Sequence, residues 1–326
     1  MWRPFGLGII ILVMLLGCGG DVVYISNLPN HFPQPTIPPD NKLTRQRVEL
    51  GKKMFFDKSL SLDSTIACVS CHHPDKAFTD GLALSPGIHG RKGKRNTPSI
   101  MNAALVPLIN KDGGVKKLDL QALVPIEDEN EMGISILHLS QRLAQDPVYV
   151  KQSREAYGMP PSAYVITRAL ASFVRTLYSS NSRYDHFIQG DSTALTSREK
   201  MGKALFESDR LNCTSCHGGI QFTNHAFENN GLYTSYVDLG RALITLDSAD
   251  RGKFRVPSLR NVGITAPYMH DGSLANLEEV INHYEDTGIS PKKGQSKKIE
   301  AFSLSSEEKE SLIAFLSALT DEQFIN

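Results

Sequence analysis

The chain has 326 residues, which at about 150 residues per domain leaves room for two domains. Hydrophobic residues make up 40% and charged residues 21%, so the chain can bury a core, and disorder over its whole length is excluded. Its 35 Lys and Arg residues equal its 35 Asp and Glu residues. The zero net charge argues against a nucleic-acid-binding protein, which usually carries a basic excess.

The N-terminus is typical of a secretory signal. An apolar run over residues 5–16 follows Arg3 and is shorter than the roughly 20 residues of a membrane-spanning helix. Cys18 follows Gly17, with Leu15 three residues before it, and this ending resembles a bacterial lipobox. The resemblance implies cleavage after residue 17 and a lipid on the Cys18 thiol. The alternative is an ordinary signal peptide with an incidental cysteine.

Residues 18–41 predict a tether between a membrane and a folded body. Five prolines make this segment stiff and poorly suited to packing: Pro29, Pro33, Pro35, Pro38 and Pro39. No later stretch of the sequence is apolar enough to span a membrane.

The four remaining cysteines form two Cys-x-x-Cys-His motifs, at 68–72 and 213–217. In haem c attachment, two thiols add to the haem vinyl groups and the adjoining imidazole binds the iron as proximal ligand. Cys-x-x-Cys pairs also bind zinc or perform thiol redox chemistry, but a zinc site does not require a histidine directly after both pairs. We therefore predict two covalent haems, which are attached outside the cytoplasm. Their residues are Cys68, Cys71, His72, Cys213, Cys216 and His217.

Short segments of the first half recur in the second, which predicts an internal duplication with one haem domain in each unit. We expect these domains at 42–190 and 191–326. The matching segments are Gly51-Lys52-x-x-Phe55 with Gly202-Lys203-x-x-Phe206, Phe78-Thr79 with Phe222-Thr223, and Pro98-Ser99-Ile100-Met101-Asn102 with Pro257-Ser258-Leu259-Arg260-Asn261.

The local patterns are mostly helical. Apolar residues at three- and four-residue spacing predict helices over 45–56, 163–177 and 307–319. Thr196 and Ser305, each followed by a glutamate three residues later, predict helix starts. The Gly- and Pro-rich middle, 79–135, has no clear period and predicts an ordered loop around haem. The expected fold is mostly α, with two cytochrome c-like haem domains and long ordered loops.

Beyond the haem motifs, the chain contains a series of short segments: His89-Gly90, Arg95-Asn96-x-Pro98, Asp112-Gly113, Gln121-Ala122-Leu123, Pro125-Ile126-Glu127, Glu131-Met132-Gly133 and Pro267-Tyr268-Met269-His270-Asp271-Gly272. In this order they resemble the bacterial di-haem cytochrome c peroxidase family, which includes the MauG-type enzymes. The resemblance covers about residues 42–320. It implies that the N-terminal haem meets hydrogen peroxide and that the C-terminal haem receives electrons from a donor.

Glu131 and Gln121 match the polar residues over the peroxidatic iron of this family. Splitting the O–O bond requires a base that takes the proton from bound peroxide and returns it to the leaving oxygen, and a carboxylate can do both. The alternative is that Glu131 is one solvated charge of the acidic run 127–131. Its ten-residue spacing from Gln121, as in the family, favours the catalytic role.

The resemblance also implies two further metal contacts. His89 matches a removable sixth ligand of the peroxidatic iron, and the prolines and glycines of its loop would let it move; the alternative is an exposed loop histidine. Because MauG-type enzymes keep this iron open, His89 favours the gated peroxidases. Asn96, Thr265 and Pro267 match positions that bind an inter-domain calcium, which prefers amide and carbonyl oxygens. By themselves they would be ordinary turn residues.

The sixth ligand of the C-terminal haem departs from many peroxidases of the family, which place a methionine seventeen residues after the proline that matches Pro267. Here that residue is Tyr284, as in MauG-type proteins, and it lies on the apolar face of a predicted helix. The neighbouring His283 lies about 100° away around the helix. Met269 is the other alternative.

Lys111 is a second departure, because the family usually has a tryptophan at this position between the haems. The only tryptophan of the chain is Trp2, within the predicted signal. Because a lysine cannot carry an oxidising hole as an indole can, either electrons pass directly between the haems or the route differs.

Together these observations predict a periplasmic, lipid-anchored enzyme that reduces hydrogen peroxide to water with electrons from a small cytochrome c or copper protein. Glu131 is expected to act as acid and base, assisted by Gln121. One alternative is a MauG-like oxidase that modifies a protein partner, suggested by Tyr284, and a less favoured one is a non-catalytic electron carrier. Association as a homodimer stays open.

Overall fold

The computed structural model describes residues 28–29 and 32–324, so the predicted signal and Cys18 lie outside the described residues. The chain is 43% helical with little sheet, which confirms the predicted mostly α fold. Within the described ranges, no helix has both the length and the apolar character needed to cross a membrane.

The helices are short and are joined by turns and irregular segments. In chain order, the described residues form α1 Arg45–Phe56, α2 Leu118–Gln121, α3 Leu123–Glu127, α4 Ile136–Leu143, α5 Pro147–Tyr157, α6 Ala163–Val174, α7 Arg183–Ile188, α8 Ser197–Phe206, α9 Thr214–His217, α10 Ala242–Thr245, α11 Leu277–Ile289 and α12 Ser306–Ser317. Two strands, β1 Phe227–Glu228 and β2 Phe254–Arg255, pair antiparallel with Phe227 opposite Arg255.

The N-terminal core forms around the contact between α1 and α6. The Thr44 side chain caps α1, which presents Met54 and Phe55 to the buried interior. On the same helix, a Cβ added to Gly51 would lie 1.9 Å from the Ala169 carbonyl oxygen of α6. The two backbones can approach this closely only because residue 51 has no side chain.

The C-terminal core repeats this arrangement with α8 and α12. Capping boxes at Thr196–Glu199 and Ser305–Glu308 begin the two helices at the predicted positions. A Cβ added to Gly202 of α8 would lie 1.9 Å from the Ser311 carbonyl oxygen of α12. The repeated Gly-Lys segments therefore make the same backbone contact in both cores.

Each core also contains a cluster of three phenylalanines. The central ring lies 5.0 and 6.1 Å from its two partners in the N-terminal cluster, and 5.4 and 5.9 Å in the C-terminal one. The clusters are Phe55 with Phe78 and Phe173, and Phe206 with Phe222 and Phe315. The matching sequence segments thus form the same local packing twice.

The closing helix of each core ends earlier than its sequence pattern predicts, at residue 174 rather than 177 and at 317 rather than 319. The backbone N–H of Asn102 donates to the Leu177 carbonyl oxygen at 2.9 Å, and that of Asn261 donates to the Leu319 carbonyl oxygen at 3.0 Å. Hydrogen bonds to the repeated Pro-Ser-x-x-Asn segments thus take the place of the last helical turn.

The middle segment, 79–135, is not entirely loop, because it contains α2 and α3. These helices are too short to show a period in the sequence. A buried ion pair between Asp119 of α2 and Arg175 anchors α2, and Asp119 also accepts a hydrogen bond of 2.6 Å from Asn41. Tertiary contacts therefore hold helices that the local sequence does not predict.

Two connecting segments pack differently from the expectation. Phe32 of the proline-rich segment is 2% exposed, and the Arg260 guanidinium lies 4.8 Å from its ring centroid, so this end of the predicted tether is packed on the folded body.

Helix α7 falls within the predicted N-terminal domain, 42–190. Its Asp185 nevertheless forms two hydrogen bonds of 2.8 Å with Arg260, which attaches α7 to the C-terminal core.

Candidate active site

The two Cys-x-x-Cys-His motifs have the same local geometry. The backbone N–H of His72 donates to the Cys68 carbonyl oxygen at 3.0 Å, and that of His217 donates to the Cys213 carbonyl oxygen at 2.8 Å. These bonds close one helical turn in each motif. Because residues three and four apart share a helix face, the turn brings the histidine and the first cysteine together.

Both motif histidines are oriented to bind a metal through Nε2. His72 Nδ1 lies 2.9 Å from the Phe78 carbonyl oxygen, and His217 Nδ1 lies 3.1 Å from the Phe222 carbonyl oxygen. A carbonyl oxygen only accepts hydrogen bonds, so Nδ1 carries the proton, and in the neutral ring Nε2 keeps the lone pair that can bind a metal. Burial lowers the pKa of both histidines, which favours the neutral ring that metal binding requires.

Glu131 is electrostatically coupled to the N-terminal motif. Burial raises the pKa of Cys68 to about 12 and that of Cys71 to about 11, and the Glu131 carboxylate adds to both shifts. Burial, with Asp128 adding, raises the pKa of Glu131 itself to about 7. A carboxyl group with this pKa exchanges protons readily near neutral pH.

The segment that carries Glu131 folds back after α3. The Met132 N–H donates to the Pro125 carbonyl oxygen at 3.1 Å, and the Ile134 N–H donates to the Ile126 carbonyl oxygen at 2.9 Å. Gln121, the predicted assistant of Glu131, ends α2 and is partly buried. No hydrogen bond joins it to Glu131 among the described residues.

His89 points away from the N-terminal motif. Its side chain is 54% exposed, and its Nδ1 lies 3.5 Å from an Asp63 carboxylate oxygen. The backbone beside it is nevertheless fixed, because the Ile88 N–H donates to the Glu131 carbonyl oxygen at 2.9 Å. A Cβ added to Gly87 would lie 1.8 Å from the Asn130 carbonyl oxygen. The structure thus places the His89 loop against the Glu131 segment but turns the imidazole outward.

A cavity of about 370 Å³ adjoins the C-terminal motif. Its lining includes His217 and two of the three residues considered as sixth ligand, Tyr284 and Met269. The third, His283, is engaged elsewhere through a contact of 3.1 Å between its Nε2 and the Asn230 carbonyl oxygen. Burial raises the pKa of Tyr284 to about 12. Tyr284 and Met269 therefore remain the residues that face this site.

Asn230 contacts all three of these residues and was not singled out from the sequence. Its side-chain amide donates to the Met269 sulfur at 3.0 Å, and it partly offsets the effect of burial on the pKa of Tyr284. The amide thus engages the thioether while Tyr284 faces the cavity. The turn-forming run Asn229-Asn230-Gly231 is the only local signal for this position.

Comparisons with known proteins agree with this geometry. The family model of the di-haem cytochrome c peroxidases matches residues 45–193. The methylamine utilization protein MauG of Methylophilus methylotrophus is 35% identical over 306 residues, which cover 92% of this chain and 91% of that protein. The chain belongs to the di-haem cytochrome c peroxidase family. The cytochrome c551 peroxidase of Nitrosomonas europaea is 31% identical over 296 residues, or 89% of this chain and 84% of that protein.

A solved structure extends the family likeness to three dimensions. The crystal structure of a MauG-like protein associated with microbial copper homeostasis matches with a TM-score of 0.87 and 35% identity, covering 93% of this chain and 97% of that one. Family membership makes the chain an oxidoreductase that carries two c-type haems. The two pairs of thiols and the Nε2 lone pairs fit these haems at both motifs.

Lys111, where the family usually has tryptophan, lies in the same cavity as the C-terminal motif. Burial and the nearby Arg95 and Arg255 lower the pKa of Lys111 to about 7. Arg95 itself bridges Asp112 at 2.5 Å and Asp238 at 2.6 Å, and so joins the two halves of the chain.

Calcium binding at Asn96, Thr265 and Pro267 stays a prediction from the sequence. Asn96 Oδ1 accepts a hydrogen bond of 3.4 Å from Lys111 Nζ, which also donates to the Met269 carbonyl oxygen at 3.1 Å. Thr265 and Pro267 line the same cavity. Lys111 bonds to the amide oxygen that calcium would use, and no step is assigned to calcium.

Proposed function

We propose that the chain reduces hydrogen peroxide to water at its N-terminal haem, with electrons that reach this haem through the C-terminal one. The observation that carries the proposal is the electrostatic coupling of Glu131 to the N-terminal thiols, with the pKa of Glu131 raised to about 7. At the C-terminal motif, Tyr284 and Met269, the residues considered as sixth ligand, line the cavity with His217. The asymmetry supports peroxide chemistry at the first site and electron transfer at the second.

Haem supplies the redox chemistry when it is bound at the two motifs. Glu131 accepts a proton from one oxygen of hydrogen peroxide and returns it to the other oxygen, which leaves as water. Two electrons and two protons convert one hydrogen peroxide into two waters. His72 would hold the haem iron through Nε2, with its Nδ1 proton fixed by the Phe78 carbonyl oxygen.

We further propose that the peroxidatic iron is open without prior reduction of the other haem. The support is the outward position of His89, whose imidazole contacts Asp63. The gated mechanism expected from the sequence is the alternative. Tyr284 supports the thioether-free ligation that we expect at the C-terminal haem.

A second candidate function is MauG-type oxidation of a protein partner. Tyr284 at the C-terminal cavity and the outward His89 favour it, and both candidates share the reaction with peroxide. They differ in the source of electrons, which is a small cytochrome c or copper protein in the first and the modified partner itself in the second.

The tandem haem units are proposed to descend from one duplicated unit, and the enzyme to act in the periplasm on a lipid anchor at Cys18.

Peroxide turnover by the holoprotein tests the proposal. With a reduced small cytochrome c as donor, we expect two donor molecules to be oxidised per hydrogen peroxide and no lasting change in any partner protein. A spectral response to peroxide without sustained donor oxidation would favour the protein-oxidising alternative. Absence of any response by either haem would overturn both.

A further inference from the structure

A series of aromatic rings leads from the C-terminal haem cavity to the protein surface. His270 and Phe254 line the cavity and stack at 4.1 Å with an interplanar angle of 18°. The Tyr236 ring lies 5.9 Å from His270, and the Tyr233 ring lies 6.0 Å from His270 and 5.7 Å from Tyr236. At such centroid separations, neighbouring rings are in contact.

The inner phenol of this series is linked to Tyr284 through His270. The Tyr236 ring contacts His270, which lines the same cavity as Tyr284, and the Tyr236 phenol adds to the raised pKa of Tyr284. The Tyr236 ring is held in position, because its hydroxyl donates to Asn229 Oδ1 at 2.8 Å and a Cβ added to Gly252 would lie 2.5 Å from the ring. Tyr236 therefore has a fixed place between the haem site and Tyr233.

The outer phenol is exposed and has a base beside it. Tyr233 is 38% exposed, and its hydroxyl donates to an Asp271 carboxylate oxygen at 2.5 Å. An oxidised phenol is a very strong acid, so a phenol keeps the oxidising equivalent only where its proton can leave at the same time. The carboxylate provides that acceptor. Tyr236, whose hydroxyl bonds to an amide oxygen, carries the oxidising equivalent only in passing.

We infer that Tyr233 and Tyr236 form a redox relay to the C-terminal haem, and that Tyr233 is the surface site at which a reductant delivers electrons. The inference rests on the proposed function, because peroxide reduction creates the demand for electrons. It adds the point of entry, which the haem ligands alone do not specify.

The relay step balances in electrons and protons. One electron leaves the Tyr233 ring for the peroxide-oxidised haem pair by way of Tyr236, the phenolic O–H bond breaks, and the proton binds to Asp271. The reductant then returns one electron to the tyrosyl oxygen, and Asp271 returns the proton. Two such passes supply the two electrons that one hydrogen peroxide consumes.

Other tyrosines lack one of the required features. Tyr149 makes a similar bond of 2.6 Å to Asp57, but it is 1% exposed in the N-terminal core, where a reductant cannot reach it. The Tyr268 hydroxyl donates to the Val262 carbonyl oxygen, which is no base for a phenol proton. The sole tryptophan, Trp2, lies outside the described residues, so phenols are the oxidisable rings of the described body.

Radical trapping on the holoprotein tests the relay. Peroxide is added with a nitroso spin trap, and adducts are located by peptide mass spectrometry alongside electron paramagnetic resonance. We expect an adduct on Tyr233, its loss in Tyr233→Phe, and its loss from Tyr233 in Tyr236→Phe. Asp271→Asn should slow its formation about 100-fold, because the proton acceptor is removed. The control is Tyr164→Phe, since Tyr164 is equally exposed at 38%.

Two outcomes would overturn the relay: adducts spread equally over Tyr233 and Tyr164, or a Tyr233 adduct that persists unchanged in Tyr236→Phe. Parallel runs with a peracid separate this result from a failure of the proposed function. A Tyr233 adduct with peracid but no haem response to hydrogen peroxide would refute the peroxidase and support the relay. Haems oxidised by peracid without a Tyr233 adduct would refute the relay.

Discussion

The N-terminal and C-terminal units share a scaffold but present different groups to their haem sites. In both, a glycine lets two helix backbones touch, three phenylalanines fill the core, and a carbonyl oxygen fixes the histidine proton. Glu131 is electrostatically coupled to one motif, whereas Tyr284 lines the cavity at the other. The two histidine sites are therefore built alike by the repeated contacts, and the groups that differ between the sites come from residues outside the repeats.

The two units also differ in their buried charges. Each holds one buried arginine paired with aspartate, Arg175 with Asp119 and Arg260 with Asp185. The arginines occupy different positions of the repeat, because Arg260 aligns with Met101. The buried charges can differ between the units because these ion pairs join each core to the segments around it. The glycines, by contrast, lie at the contact between paired helices, which both units share.

The largest effect is expected from removing the group that distinguishes the N-terminal site. Glu131→Gln should slow the reaction with peroxide by about 10²–10⁴-fold, because general acid–base catalysis contributes this much. Stopped-flow absorption of the holoprotein measures the rate. Glu129→Gln is the control, since the Glu129 side chain is 80% exposed. Equal rates for wild type and Glu131→Gln would remove Glu131 from the mechanism.

The pH dependence should report the same group. As a base, Glu131 acts only when deprotonated, and its pKa is raised to about 7 by burial. The rate constant for the peroxide reaction should therefore be high above pH 7 and should decrease as the pH is lowered through about 7. In Glu131→Gln this step in the pH profile should vanish. A step that persists in the variant would belong to another titrating group.

Breaking the buried ion pair of either unit should cost stability. Removing one partner leaves an unpaired buried charge, which costs about 3–5 kcal/mol of unfolding free energy. We expect this for both Arg175→Met and Arg260→Met in denaturant titrations of the holoprotein. The exposed pair of Arg198 with Glu310 is the control, and Arg198→Met should cost at most about 1 kcal/mol. A small effect in only one unit would mean that the ion pair of that unit does not stabilise the fold.

The shared helix contact should respond equally in both units. A methyl group at residue 51 or 202 would meet a carbonyl oxygen of the facing helix, and overpacking of this kind costs about 1–3 kcal/mol. Gly51→Ala and Gly202→Ala should therefore lower the unfolding free energy by similar amounts. Gly93→Ala is the control, because its nearest neighbours would be 3.9 Å away. Clearly unequal costs would show that the two contacts are not equivalent.

The smallest effect is expected at His89. Because its imidazole lies outside the N-terminal site, His89→Gly should leave the peroxide reaction of the fully oxidised protein unchanged. The absorption spectrum of the oxidised N-terminal haem should also stay the same. A faster reaction in the variant would restore the gated mechanism, with His89 bound to the iron in solution.

Several features followed from the sequence because they depend on neighbouring residues. The Cys-x-x-Cys-His motifs carry the haem attachment within five residues, and the predicted helix over 45–56 has the observed bounds. Thr196 and Ser305 cap helices as predicted, since a capping box joins residues three apart. The family also followed, because its short segments occur in order along the chain.

Only the tertiary structure decided how distant segments meet. The His89 imidazole contacts Asp63, and the Lys111 amine bonds to the Asn96 amide oxygen. Helix α7 joined the C-terminal core through Asp185 and Arg260, which are far apart in sequence. A local pattern fixes which groups a segment carries. The partners of those groups depend on long-range packing, which no local spacing records.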